Sequence, residues 1–140
     1  ILSLFAAFTL SLTSCSSGGS TPEGAAEGYI EGVLNLDPSE IAKYVCHSNG
    51  DPYLSHELER MVRKAERSIE KASERERKKA REKISNISYD IVDVEYDDDD
   101  EGIAKVKVKF RDRKKHDTDR ETLKCYLIDG RWYVGTENAL

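Results

Sequence analysis

"IAKVKVKF", Ile103 to Phe110, sets one apolar residue against one lysine, step by step. Ala104, Val106, Val108 and Phe110 fall on one side, and Lys105, Lys107 and Lys109 on the other. A period of two belongs to a strand with one buried and one wetted face. Upstream, "DDDDEG" reads as a turn, and "ISNISYDIVDVEY" before it reads as another strand. There Val92, Val94 and Tyr96 are expected on one side, and Ile87, Tyr89 and Ile91 on the other. Downstream, "RDRKKHDTD" is a polar hairpin tip, and "ETLKCYLI" places Leu123, Cys125 and Leu127 on one face. Asp129-Gly130 is a strong signal for a two-residue hairpin, and "RWYVG" follows as the fourth strand.

The first half of the chain has the helical period instead. Thr21-Pro22-Glu23 is a helix start: a cap, a proline at the first helical position, an acid in the first turn. Ala25, Ala26, Tyr29, Ile30, Val33 and Leu34 follow at helical spacing. Asp37-Pro38 opens a short second helix, which "CHSNGDP" is expected to end in turns. A stripe from Leu54 through Leu58, Met61, Val62, Ala65, Ile69 and Ala72 marks a long third helix. It is expected to continue through the charged "SERERKKAREK" to Ile84. Helices first and a strand meander second predict an α+β fold, with N-terminal helices packed on a curved antiparallel four-stranded sheet.

The chain has 140 residues, enough for one domain with a core, and a net charge of -5. Cys15, Cys46 and Cys125 form no Cys-x-x-Cys pair, which excludes zinc-ribbon and thioredoxin chemistry. Charge is segregated: residues 85–104 carry eight acids and no base. Nucleic acid is not an expected partner of so acidic a chain.

Ile1 to Leu10 carries no charge and falls short of the roughly 20 residues that a membrane span needs. It fits the apolar core of a secretory signal. Leu12-Thr13-Ser14-Cys15 resembles a bacterial lipobox. The resemblance implies cleavage between Ser14 and Cys15 and acylation of Cys15 by palmitate-type chains. Two or three chains anchor firmly, because each buried methylene contributes about 0.8 kcal/mol. The expected organisation is a signal peptide over 1–14, lacking its true start, then a lipidated Cys15 and flexible tether over 15–20. A domain over 21–136 and a tail over 137–140 complete it. Ser16, rather than Asp, after the cysteine is similar to the enteric signal for the outer membrane, facing the periplasm.

"TPEGAAEGYIEGVLNLDPSEIAKYV", the long helix, and the closing "CYLIDGRWYVG" together resemble the lipoproteins of domain-of-unknown-function family 4878 (DUF 4878). These belong to the nuclear-transport-factor-2-like superfamily. The resemblance covers Thr21 to Thr136 and implies a cystatin-like cone, a sheet curved around helices with an open mouth. It implies no activity.

Enzymes of that fold use an acid, histidine or tyrosine inside the cone, yet the inward strand positions are all apolar. No catalytic residue is therefore assigned. Asp90 and Asp93 are expected on opposite strand faces, which separates their carboxylates. The run Asp97–Asp100 lacks the ligand spacing of a calcium loop, and His47, His56 and His116 share no zinc spacing, so no metal or cofactor is expected. Cys46 and Cys125 remain as an even pair in an oxidising compartment; a disulfide and two separate buried thiols are both open. Tyr29, Tyr44, Tyr89 and Trp132 are candidate walls of a ligand pocket in the cone mouth. The reading is a membrane-anchored lipoprotein whose non-catalytic domain binds a small ligand or an envelope protein. A small hydrolase or isomerase on the same fold, or a purely structural envelope protein, is the alternative.

Overall fold

The fold is taken from a computed structural model that describes residues 17–137. The signal segment, Ser14, Cys15 and residues 138–140 lie outside the described residues. Thr21 caps α1 (Pro22–Leu34), its Oγ1 accepting from the Gly24 N–H at 3.0 Å. Asp37 caps α2 (Pro38–Ala42) in the same way, accepting from the Glu40 N–H at 3.3 Å. Then come β1 (Val45–His47), α3 (Ser55–Lys71), α4 (Glu74–Ser85), β2 (Ile87–Tyr96), β3 (Ile103–Asp112), β4 (Asp117–Ile128) and β5 (Arg131–Thr136).

The α+β layout holds, but the sheet has five strands and is mixed. Its order is β1-β5-β4-β3-β2, and it does not close on itself. The additional strand is β1, which runs parallel to β5, with Val45 opposite Val134. Three residues inside a stretch rich in turn formers show no readable period, and their partner lies far along the chain. Asp129 (φ 50°) and Gly130 (φ 79°) make the expected hairpin turn, both in the left-handed region.

Strand β2 departs from strict alternation at Val92. A bulge between Ile91 and Asp93 shifts the register against β3. Tyr89 and Ile91 pair with Phe110 and Val108, and beyond the bulge Val94 and Tyr96 pair with Val106 and Ala104. The two apolar sets expected on opposite faces thus share one face. The same shift brings Asp90, Asp93 and Glu95 together outside, opposite Lys109, Lys107 and Lys105. Lys107 Nζ reaches Asp93 at 3.8 Å and Glu95 at 3.6 Å.

The inner face of the sheet buries Ala104, Val106, Val108, Cys125, Trp132 and Val134 against Ala25, Ala26 and Ile30 of α1. A smaller core joins Ile41 and Val45 to Tyr53, Leu58 and Met61, and Tyr29 touches both. Residues 17–137 alone contain both cores.

Two further expectations are corrected. The long third helix is two helices, because Ala72 (ψ 140°) and Ser73 (ψ 156°) are extended. Ser73 caps α4 by accepting from the Glu76 N–H at 3.2 Å and donating to the Glu76 carboxylate at 3.1 Å. Part of the segment expected as a tether also belongs to the body. Gly19 exchanges backbone hydrogen bonds with Trp132, the Gly18 N–H donates to the Lys43 carbonyl, and Arg131 Nη2 donates to the Gly18 carbonyl at 2.8 Å. Ser17 Oγ and Tyr133 Oη are 2.8 Å apart. The edge of β5 needs a partner beyond β1, and this segment supplies it. A side chain at Gly19 would run into the backbone of Ala25, so only glycine fits there.

Candidate functional site

Of the four aromatics expected around one pocket, Tyr29, Tyr89 and Trp132 pack in or against the main core, while Tyr44 stands apart from them against Gly28 of α1. Tyr44 precedes β1 at one sheet edge and Tyr89 lies on β2 at the other, four strand spacings or about 19 Å apart. Tyr44 rests its ring on Gly28, where any side chain would collide with it. Tyr89 donates from its hydroxyl to Glu31 at 2.8 Å; burial and that carboxylate push its pKa up. Trp132 is 7% exposed inside the main core, edge-on to Tyr96 at 6.0 Å between ring centres. Tyr29 spans the two cores, and burial, then Glu121, raises its pKa. The inner face of the sheet is covered by α1 through Ala25, Ala26 and Ile30.

Cys46 and Cys125 are free thiols, both fully buried. Cys46 stands opposite Gly135, and Cys125 opposite Val134, so β5 lies between them. Two strand spacings separate their backbones by about 9–10 Å. A disulfide needs α-carbons within about 7 Å, which excludes the bridge in this fold.

Two of the five acids of the turn, Asp97 and Asp100, accept from its own backbone. Asp97 accepts from the Asp99 N–H at 2.8 Å and Asp100 from the Gly102 N–H at 2.9 Å. Among the described residues no three His, Cys, Asp or Glu side chains gather as a metal site. His47 meets Glu57 at 3.3 Å and packs against Tyr53, the two rings tilted by 41° with centres 3.9 Å apart. This contact clasps β1 to α3, and histidine spacing alone carries no signal for it.

One groove, among several on the described surface, combines apolar walls with unpartnered cations and has no signal in the sequence. It lies where the end of α1 meets the elbow between α3 and α4, and its volume is about 380 Å³. Leu34, Leu36, Ile69 and Ile84 form apolar walls, and Arg77 and Arg81 stand among them. Four residues apart, the two arginines share one side of α4. Neither makes an ion pair with the described residues. Arg77 Nε is buried with no hydrogen-bond partner. An unpaired buried donor costs about 1–3 kcal/mol.

Leu36 reaches the groove through an unusual backbone. Its N–H donates to the Val33 carbonyl at 3.1 Å and the Asp37 N–H to the Gly32 carbonyl at 2.9 Å, the paired bonds of a Schellman helix end. The residue at its centre is normally glycine; here it is leucine at φ 51°. A branched side chain held left-handed stores about 1–2 kcal/mol of strain.

Searches among family models, curated proteins and solved structures find no match to this chain.

Proposed function

We propose that the protein is a lipid-anchored component of the bacterial cell envelope, facing the periplasm from the outer membrane. Its domain binds a ligand or partner without catalysing a reaction. The carrying observation is the lipobox-like Leu12–Cys15, set between an uncharged run and a folded domain. Ser17 already contacts Tyr133, so an acylated Cys15 holds the domain close to the membrane surface. The helices-on-sheet layout is compatible with a nuclear-transport-factor-2-like domain.

Binding is supported at the groove between α1 and the α3–α4 elbow, where apolar walls adjoin two cations that make no ion pair among the described residues. Concave, mostly apolar sites with a few polar anchors are the usual form of small-ligand sites. Labelling cells with radioactive palmitate tests the anchor: label on the wild type and none on Cys15→Ala is expected. An equally labelled Cys15→Ala would refute it. The soluble chain from Ser16 onward, melted against a library of envelope metabolites, tests binding. A ligand at 100 times its Kd stabilises by about 2.7 kcal/mol.

A further inference from the structure

Resting on the binding reading above, we infer that the groove at the α3–α4 elbow takes a small amphiphile with a carboxylate head, an alkyl carboxylate. Three features of the groove select that chemistry.

The first is charge. Arg77 and the more exposed Arg81 line the groove from one side of α4, and neither has an acidic partner among the described residues. Arg77 Nε has lost water without gaining a protein acceptor. A carboxylate in the groove gives these guanidinium groups the acidic partner that they lack among the described residues, and guanidinium-to-carboxylate hydrogen bonds are charge-assisted and commonly bidentate.

The second is the apolar remainder. Leu34 and Leu36 on one side face Ile69 and Ile84 on the other, and aliphatic walls of this kind accept an alkyl chain. The volume of about 380 Å³ suits a compact ligand, near the lower end of the ~300–1,000 Å³ usual for such sites. A monoanion is easier to desolvate among four aliphatic side chains than a phosphate dianion, which favours the carboxylate.

The third is the strain at Leu36. Glycine would take this Schellman conformation without steric strain, so the turn geometry does not call for leucine at φ 51°. What leucine adds is the side chain that forms part of the groove wall. Strain held at one residue is intelligible when its side chain has a task.

Calorimetry on the chain from Ser16 onward, with decanoate, decanol and decyl phosphate as probes, tests the assignment. Saturable decanoate binding is expected, with decanol weaker by about tenfold or more, the worth of a charge-assisted hydrogen bond. Arg77→Gln and Arg81→Gln should each weaken decanoate by about tenfold or more, and Leu36→Gly by several-fold with no fall in Tm. The two arginine variants are independent, so one failing to fold leaves the other as the test. Decanol binding as well as decanoate, binding unaltered in the variants, or no decanoate binding would overturn the proposal. Preference for decyl phosphate would overturn the carboxylate head. A non-amphiphilic ligand that stabilises the domain while decanoate does not would overturn the amphiphile alone and leave the binding reading standing.

Discussion

Raising the pH from 8 to 10 should destabilise the domain through its two buried thiols. The chain from Ser16 onward retains only Cys46 and Cys125, each 0% exposed. Burial, then Asp51, pushes the Cys46 thiol up to about 11 from the ordinary 9.0. Burial, then Cys46 and Glu23, pushes Cys125 up to about 12 from the same value. Unfolded, both ionise near pH 9; folded, both stay protonated at pH 10. Their stabilisation is therefore complete below pH 9 and is lost as pH rises through 9 towards the folded values. Between pH 8 and 10 each thiol accounts for a loss of about 1 kcal/mol, and the pair for about 2–3 kcal/mol. Urea unfolding at both pH values, compared with a Cys46→Ala/Cys125→Ala variant, isolates this contribution from tyrosines and lysines that titrate in the same range. The wild type should lose about 2–3 kcal/mol more than the variant. An identical loss in the two proteins would refute the reasoning. So would fewer than two thiols titrated in denaturant without reductant, because β5 separates the cysteines.

Gly28→Ala should drive a methyl into the Tyr44 ring and cost about 1–3 kcal/mol by thermal melting, with most of the loss recovered when Tyr44→Ala is added. Ser73→Ala removes the cap of α4 and should cost about 1 kcal/mol, read as loss of helical circular dichroism at lower temperature; no change would mean that the helix start is held by other contacts. Lys107→Ala breaks two long, exposed ion pairs and should change stability by less than about 1 kcal/mol in urea, less still at high salt. Hydrogen exchange should find the α3 and α4 amides opening at lower free energy than those of β3 and β4, since neither helix buries a residue fully; equal protection would contradict this.

The elements set by local chemistry were readable in advance. Ile103 to Phe110 shows its faces by composition alone, the caps at Thr21 and Asp37 use short-range hydrogen bonds, and Asp129-Gly130 carries its own turn. What failed to show was non-local. Val92 looks like an ordinary member of an alternating run; only pairing with β3 reveals that it is the residue skipped. Strand β1 exists because β5 offers an edge, not because "VCH" has strand character. The break at Ser73 was readable in principle, as Ser73-x-x-Glu76 is a helix-start signature, but the charged helical pattern on either side concealed it. Arg77 and Arg81 were hidden for the same reason. In sequence they sit in a run that looks wholly solvated, and only the tertiary fold sets them against Leu34 and Leu36.

The placement of the groove connects the weakest part of the fold to its most strained residue. Helices α3 and α4 bury no side chain fully, and α3 is attached mainly through Leu58 and Met61 to the smaller core. At the far end, Arg113 donates through Nη2 to the Ser85 carbonyl at 2.9 Å, and its N–H to Asn86 at 3.0 Å. Between these two attachments the elbow lies beside Leu36, across a groove that protein atoms leave open. A core residue placed there would have closed the seam and stiffened the pair. Instead the seam holds a guanidinium whose buried Nε has no partner and a leucine in a glycine conformation, both costly to the free domain, and an anionic amphiphile would add a charge partner and apolar contacts there. A ligand that binds only the assembled elbow shifts the folded population towards it, so occupancy and the order of α3 and α4 must rise together.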